Sequence, residues 1–145
     1  MAFHFALATV LRARSIIEER EERMLRQILF EIGKTIESIA QTGHEINGSN
    51  ATRRSEILQT SLGRNVWESY DLLEELKLNR KRLEDRLEKL EQLREKQFEV
   101  YKNARMNREM ITGMHSEGRA AYDADVSRRE QRDLDDNYIA CKRRL

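Results

Sequence analysis

Proline is absent from this chain, cysteine occurs once, glycine six times, and aromatic residues make up 6% of its 145 positions. Each shortage excludes something. Without proline, no helix need be kinked by a ring clash or a missing backbone donor. A single cysteine, Cys141, cannot form an internal disulfide framework, and it points to a reducing, cytoplasmic setting. A mean hydropathy of −0.81 leaves too little apolar material for a broad core. No apolar run approaches the roughly twenty residues that a membrane span needs. A formal net charge of +1 provides no field to gather nucleic acid.

What the chain does have is charge, at 37% of residues, with both signs interspersed and Arg, Glu and Leu prominent. That profile fits a long coiled coil, in which the apolar residues form a stripe. Residues 66–145 hold only two glycines, Gly113 and Gly118, and the spacing predicts one very long helix there, roughly 120 Å at 1.5 Å per residue. In it Leu76, Leu83, Leu90, Ala104 and Ile111 stand seven or fourteen residues apart, with Leu73, Leu87 and Tyr101 on the neighbouring line. Arg80, Arg94 and Arg108 occupy seam positions where their stems are expected to snorkel past a partner.

Near the start, Phe3, Leu7, Val10, Ile17, Met24 and Ile28 follow the spacing of a seam. Residues 1–15 lack both a charged leader and a cleavage site, and read as an amphipathic helix instead of a secretion signal. Farther on, Leu25, Ile28, Ile32, Ile36 and Ile39 step by three, four, four and three, which predicts a local eleven-residue repeat. Gly43, Gly48 and the Asn-Gly-Ser-Asn cluster then supply turn chemistry and predict a break. Ser55-Glu56-Ile57-Leu58 is expected to open a short helix to Leu62, closed by Gly63 and Asn65. The expected fold is all-α: an antiparallel two-helix coiled coil with a short helical or irregular segment between two long helices. Its parts are a long helix over 1–42, a break over 43–65 and a second long helix over 66–145.

The chain carries no phosphate-cradling glycine loop, no metal-binding His spacing and no nucleophile elbow. Enzymatic activity, a cofactor, a metal and a small-molecule substrate are therefore not expected. His4, His44 and His115 read as surface residues, and Met106, Met110 and Met114, four residues apart, as packing. Residues 77–109 carry eleven basic and seven acidic side chains, a solvated helix face more than a phosphate-binding one, so no nucleic acid is expected.

Two end patterns and one internal pair are more specific. Phe3-His4-Phe5-Ala6-Leu7-Ala8-Thr9-Val10-Leu11-Arg12 resembles the amino-terminal signature of the flagellar export protein FliJ family, an aromatic-x-aromatic-x-Leu-x-x-Val-Leu start followed by charged helix. Glu130-Gln131-Arg132-x-Leu134-Asp135-Asp136 is similar to that family's carboxy-terminal acid-Gln-basic-x-aliphatic-Asp-acid run. Trp67-x-x-Tyr70 falls where the family carries an aromatic pair early in its second helix. The order and spacing of the three carry the resemblance over the whole chain. The Arg-rich interior of the second helix departs from the pattern.

The resemblance implies a stalk of the type III export apparatus, cytoplasmic and peripherally associated with the inner membrane at the flagellar base. Such a stalk inserts its paired termini into the export ATPase ring and promotes the ring's assembly and hydrolysis. It also contacts the export gate membrane protein and handles export chaperones. Carried onto this sequence, the ring contact falls on Arg12, Arg14, Gln131, Arg132, Asp135 and Asp136. Phe3, Leu7 and Leu134 would pin the two ends together, and the gate contact falls on Leu72, Leu73, Leu76 and Lys77. The chain alone is expected to be a monomer. The alternatives are an injectisome-type stalk and a homodimeric coiled-coil scaffold.

Overall fold

A computed structural model describes residues 3–59 and 63–143, with side chains from residue 67 onward in the second segment. Two helices account for nearly all of it, α1 over Ala8–Leu58 and α2 over Gly63–Lys142. The chain divides into two compact units, one formed by Met1–Arg20 with Tyr101–Leu145 and the other by Glu21–Val100. Within each unit the α1 and α2 segments pack antiparallel. In the second unit Arg86 bonds Glu31 at 3.2 Å, Gln97 bonds Glu21 at 2.6 Å and Ser69 bonds Glu56 at 2.9 Å. In the first, Arg108 pairs with Glu18, and Phe3 and Phe5 lie on His115. The fold is thus an all-α two-helix hairpin.

The burial pattern follows a seven-residue repeat on both helices, interrupted on α2 where Arg80 and Arg94 are exposed. On α1 the covered lines are Leu11, Glu18, Leu25, Ile32, Ile39, Ile46 and Arg53, and Glu21, Ile28, Thr35, Thr42, Ser49 and Glu56. This corrects two expectations. The seam does not run through Leu7, Val10, Ile17 and Met24, all of which face solvent. Residues 3–7 precede the first helical turn, so a helical phase counted from Phe3 lands on the wrong face. Nor does the repeat change to eleven residues: Thr35 is 4% exposed, while the more apolar Ile36 is 51% exposed. A threonine can take the seam because its hydroxyl donates to the Glu31 carbonyl at 2.8 Å, and Thr42 does the same to Ser38 at 2.9 Å. Both hydroxyls are satisfied without interrupting the heptad.

The break predicted from residue 43 is also absent, since α1 continues through Gly43 and Gly48 to Leu58. Neither glycine adopts the left-handed backbone that a turn requires, and a Cβ at either would meet open space. No proline is present to enforce a stop, and the seam persists past both glycines through Ile46, Ser49, Arg53 and Glu56. Ser55 to Leu58, expected to open a separate short helix, form the last turn of α1, and Gly63 opens α2 instead of closing a helix. Gln59 follows as a turn, and residues 60–62 of that expected helix lie outside the described residues.

On α2 the lines read from the leucine spacing are the ones covered, from Leu73 and Leu76 through Ala104 to Ile111. The three seam arginines part ways. Arg80 turns to Glu84 on its own helix at 3.0 Å and Arg94 stays exposed, whereas Arg108 reaches across the seam to Glu18. Met106, Met110 and Met114, expected as packing, face solvent because the seam there passes through Ala104, Arg108 and Ile111. Among the described residues no large side chain is fully buried, as expected of a two-helix layer with one shared seam.

Candidate functional site

The non-helical arm at residues 3–7 sets where the α1 side of the first unit ends. Phe3 packs on His115 and Tyr122, with ring centroids 5.5 Å and 5.6 Å away, and its ring lies 3.6 Å from where a Cβ on Gly118 would stand. Phe5 meets His115 edge-on at 4.9 Å. His115, expected at the surface, is therefore half-covered by two phenyl rings, while His4 and His44 are exposed as expected. The signal for this clasp lay in the paired aromatics at the start, since each ring offers its face or edge to a ring on α2.

Beyond Tyr122 only Val126 on α2 is partly covered, and residues 127–143 are exposed on every face. Gln131, Arg132, Asp135 and Asp136 all sit on this unpaired length of helix. Arg132 donates from Nε to the Arg128 carbonyl at 3.3 Å, and Arg128 lies 3.6 Å from Asp125. Arg12 and Arg14 are exposed on α1, between the levels set by the Phe5–His115 and Glu18–Arg108 contacts. They are thus abreast of residues 108–115, roughly 24 to 35 Å along α2 from Gln131 at 1.5 Å per residue. The six residues expected at one tip form two separate groups.

The tip packing is corrected in the same way. Phe3 is pinned, but onto the middle of the first unit's α2 segment, while Leu7 is partly exposed and Leu134 is 69% exposed. Phe3 and Leu134 stand at different levels because α2 continues past the point at which Phe3 docks.

The residues expected at the gate contact divide as well. Leu73 is 2% exposed and belongs to the seam, and Leu76 is half-buried. Leu72 is exposed, and Lys77 pairs with Glu74 at 3.2 Å on the surface. Leu72, Leu76 and Leu78 with Glu75, Asn79 and Arg82 line a shallow groove of about 380 Å³. A second groove of about 370 Å³, not foreseen from the sequence, is lined by Leu25, Leu29, Arg94, Glu95 and Phe98. Leu29 and Phe98 flank the seam, so their helical phase could have revealed it.

The electrostatics are those of paired side chains. Glu18 sits beside Arg108 and raises its pKa, chiefly through their hydrogen bond. Arg105 holds the Glu109 carboxyl below its ordinary value, again mainly by a hydrogen bond, at 2.8 Å. Within the stretch weighed for phosphate binding, Arg80, Arg86, Arg105 and Arg108 each have a carboxylate partner, which leaves less positive charge for phosphate. Among the described residues no cluster of His, Cys, Asp and Glu could hold a metal ion, and no helix is long and apolar enough to cross a membrane.

No family model, curated protein or solved structure matches the chain. A functional reading therefore rests on the residues themselves.

Proposed function

We propose that this chain is the stalk of a flagellar-type protein export apparatus, engaging the export ATPase ring through the unpaired end of α2. The observation that carries the reading is that Gln131, Arg132, Asp135 and Asp136, the run that resembles the family, lie on a single helix exposed on all sides. A ring of subunits can surround such a helix, and its alternating charges give each subunit something to pair with.

Two further features support the reading. Paired helices supply stiffness that a lone helix lacks, and the aromatic arm at Phe3 and Phe5 fastens α1 to α2 below the free end. In this form of the proposal Arg12 and Arg14 act at a second level, back along the paired helices, where an outer part of the ring could meet them. The gate contact falls on the exposed Leu72 and Lys77 with the adjoining groove, while Leu73 serves the hairpin's own seam. Export chaperones are further partners, and the site of action is the cytoplasmic face of the inner membrane. An injectisome-type stalk uses the same features and is the neighbouring reading.

The test is reconstitution with the export ATPase of the same organism. The stalk reading expects faster ATP hydrolysis on adding substoichiometric amounts of this chain. An unchanged rate and no co-sedimentation with the assembled ring contradict it.

A further inference from the structure

The free length of α2 carries a second stripe, on a different face from the one that meets α1. Ala124, Ser127, Gln131, Leu134, Tyr138 and Cys141 follow in steps of three and four, and all six are exposed. The face toward α1 runs instead through His115, Gly118, Tyr122 and Val126. Charge flanks the second stripe in a definite order. Asp123, Glu130 and Asn137 border one side, and Arg128, Asp135 and Lys142 the other.

We propose that two copies of this chain associate through this stripe, their α2 ends pairing antiparallel over residues 124–141. The charge pattern selects both the partner and the direction. In the antiparallel register that places Ala124 opposite Cys141, Ser127 faces Tyr138 and Gln131 faces Leu134. The flanks then set Arg128 against Asp135 of the second copy, twice by symmetry, and Glu130 against Asn137, with no like charges opposed. A parallel pair would gain Asp123 against Arg128 but set Glu130 against Asp135 on both sides, so its attractions are offset by repulsions. Arg128 is free to turn, since its present neighbour Asp125 is 3.6 Å away and both side chains are largely exposed.

Serine and glutamine in the stripe make this a weak, reversible dimer that responds to concentration and salt. The chain alone is then a monomer only when dilute. The proposal does not rest on the stalk reading, but it bears on it: Gln131 and Asp135 are occupied in the dimer, so self-association and ring engagement exclude each other.

Disulfide trapping of the full chain tests the register. Wild type has only Cys141, which lies opposite Ala124 and not opposite itself, so mild oxidation leaves it uncrosslinked. Ala124→Cys gives a disulfide-linked dimer whose bond, mapped by mass spectrometry, joins positions 124 and 141. An intramolecular bond is ruled out, because these positions are about 25 Å apart on one helix. Adding Arg128→Asp abolishes the crosslink, and Arg128→Asp with Asp135→Arg restores it. Sedimentation equilibrium follows the same order, with dimer dissociation about tenfold weaker in affinity for the single reversal and recovered in the swap. A Cys141–Cys141 bond in wild type, no 124–141 bond in the variant, or failure of the swap to restore association overturns the proposal. All three positions are exposed, and unchanged helicity by circular dichroism excludes misfolding as the cause.

Discussion

Glu18 and Arg108 offer the sharpest test of how the first unit is held together. Their side chains are 15% and 28% exposed, placing the pair between a surface ion pair and a buried one. Surface pairs are worth about 0–1 kcal/mol, whereas removing one partner of a buried pair costs about 3–5 kcal/mol. Glu18→Ala should therefore cost about 2 kcal/mol, most of it the penalty of leaving Arg108 at the seam with only the more distant, exposed Glu109 carboxylate, 3.8 Å away. For a chain of this length that is a fall in Tm of roughly 6 °C. Glu18→Leu with Arg108→Leu fills the same layer with apolar groups and removes both desolvation costs. This double variant should be as stable as wild type or more so by about 1–2 kcal/mol. Thermal and urea denaturation followed by circular dichroism read both. A loss below about 0.5 kcal/mol for Glu18→Ala, together with a loss in the double variant, would refute the reasoning and show that Arg108 simply turns to water.

Other outcomes follow from single positions. Gly48→Ala should stabilise the chain by about 0.5–1 kcal/mol in urea denaturation, because a Cβ there meets open space in a continuous helix, whereas a turn at that site would make the change destabilising. Leu73→Ala should cost about 2–4 kcal/mol, and Leu72→Ala no more than about 0.5 kcal/mol, so the latter alone can test the proposed gate contact. Glu109 has a folded-state pKa below its ordinary value, so its contribution is present at neutral pH and lost as pH falls through the folded value. The Tm of Glu109→Gln should thus lie below wild type at neutral pH and converge with it in acid.

Much of the hairpin was legible because a heptad repeat is a local signal. On α2 the leucine lines through Leu76, Leu83 and Leu90 named the seam directly. On α1 the same logic failed where hydrophobicity and geometry diverge. Thr35 takes a seam place that Ile36 would fill on hydropathy alone, since the heptad phase and a satisfied hydroxyl outweigh one extra apolar side chain. Gly43 and Gly48 read as turn signals, yet a helix held by the seam on either side of them carries them at a cost of about 1 kcal/mol each.

The separation of the candidate site into two levels was hidden for a different reason. It depends on the register between two helices, which no short motif records. Counting from both ends suggests paired termini, but the Phe3 contact with Tyr122 places α1 well short of Gln131. The cross-seam partners Glu18 with Arg108 and Glu21 with Gln97 also lie far apart in sequence, so only the fold brings them together.

The most direct test of the stalk account is the ATP hydrolysis rate of the export ATPase with wild-type chain and with Arg132→Glu/Asp135→Arg, both at substoichiometric ratio. The account predicts stimulation by wild type and none by the charge-reversed variant, with helicity and Tm equal in the two. Equal stimulation by both proteins, or by neither, would contradict the assignment of ring contact to the free end of α2.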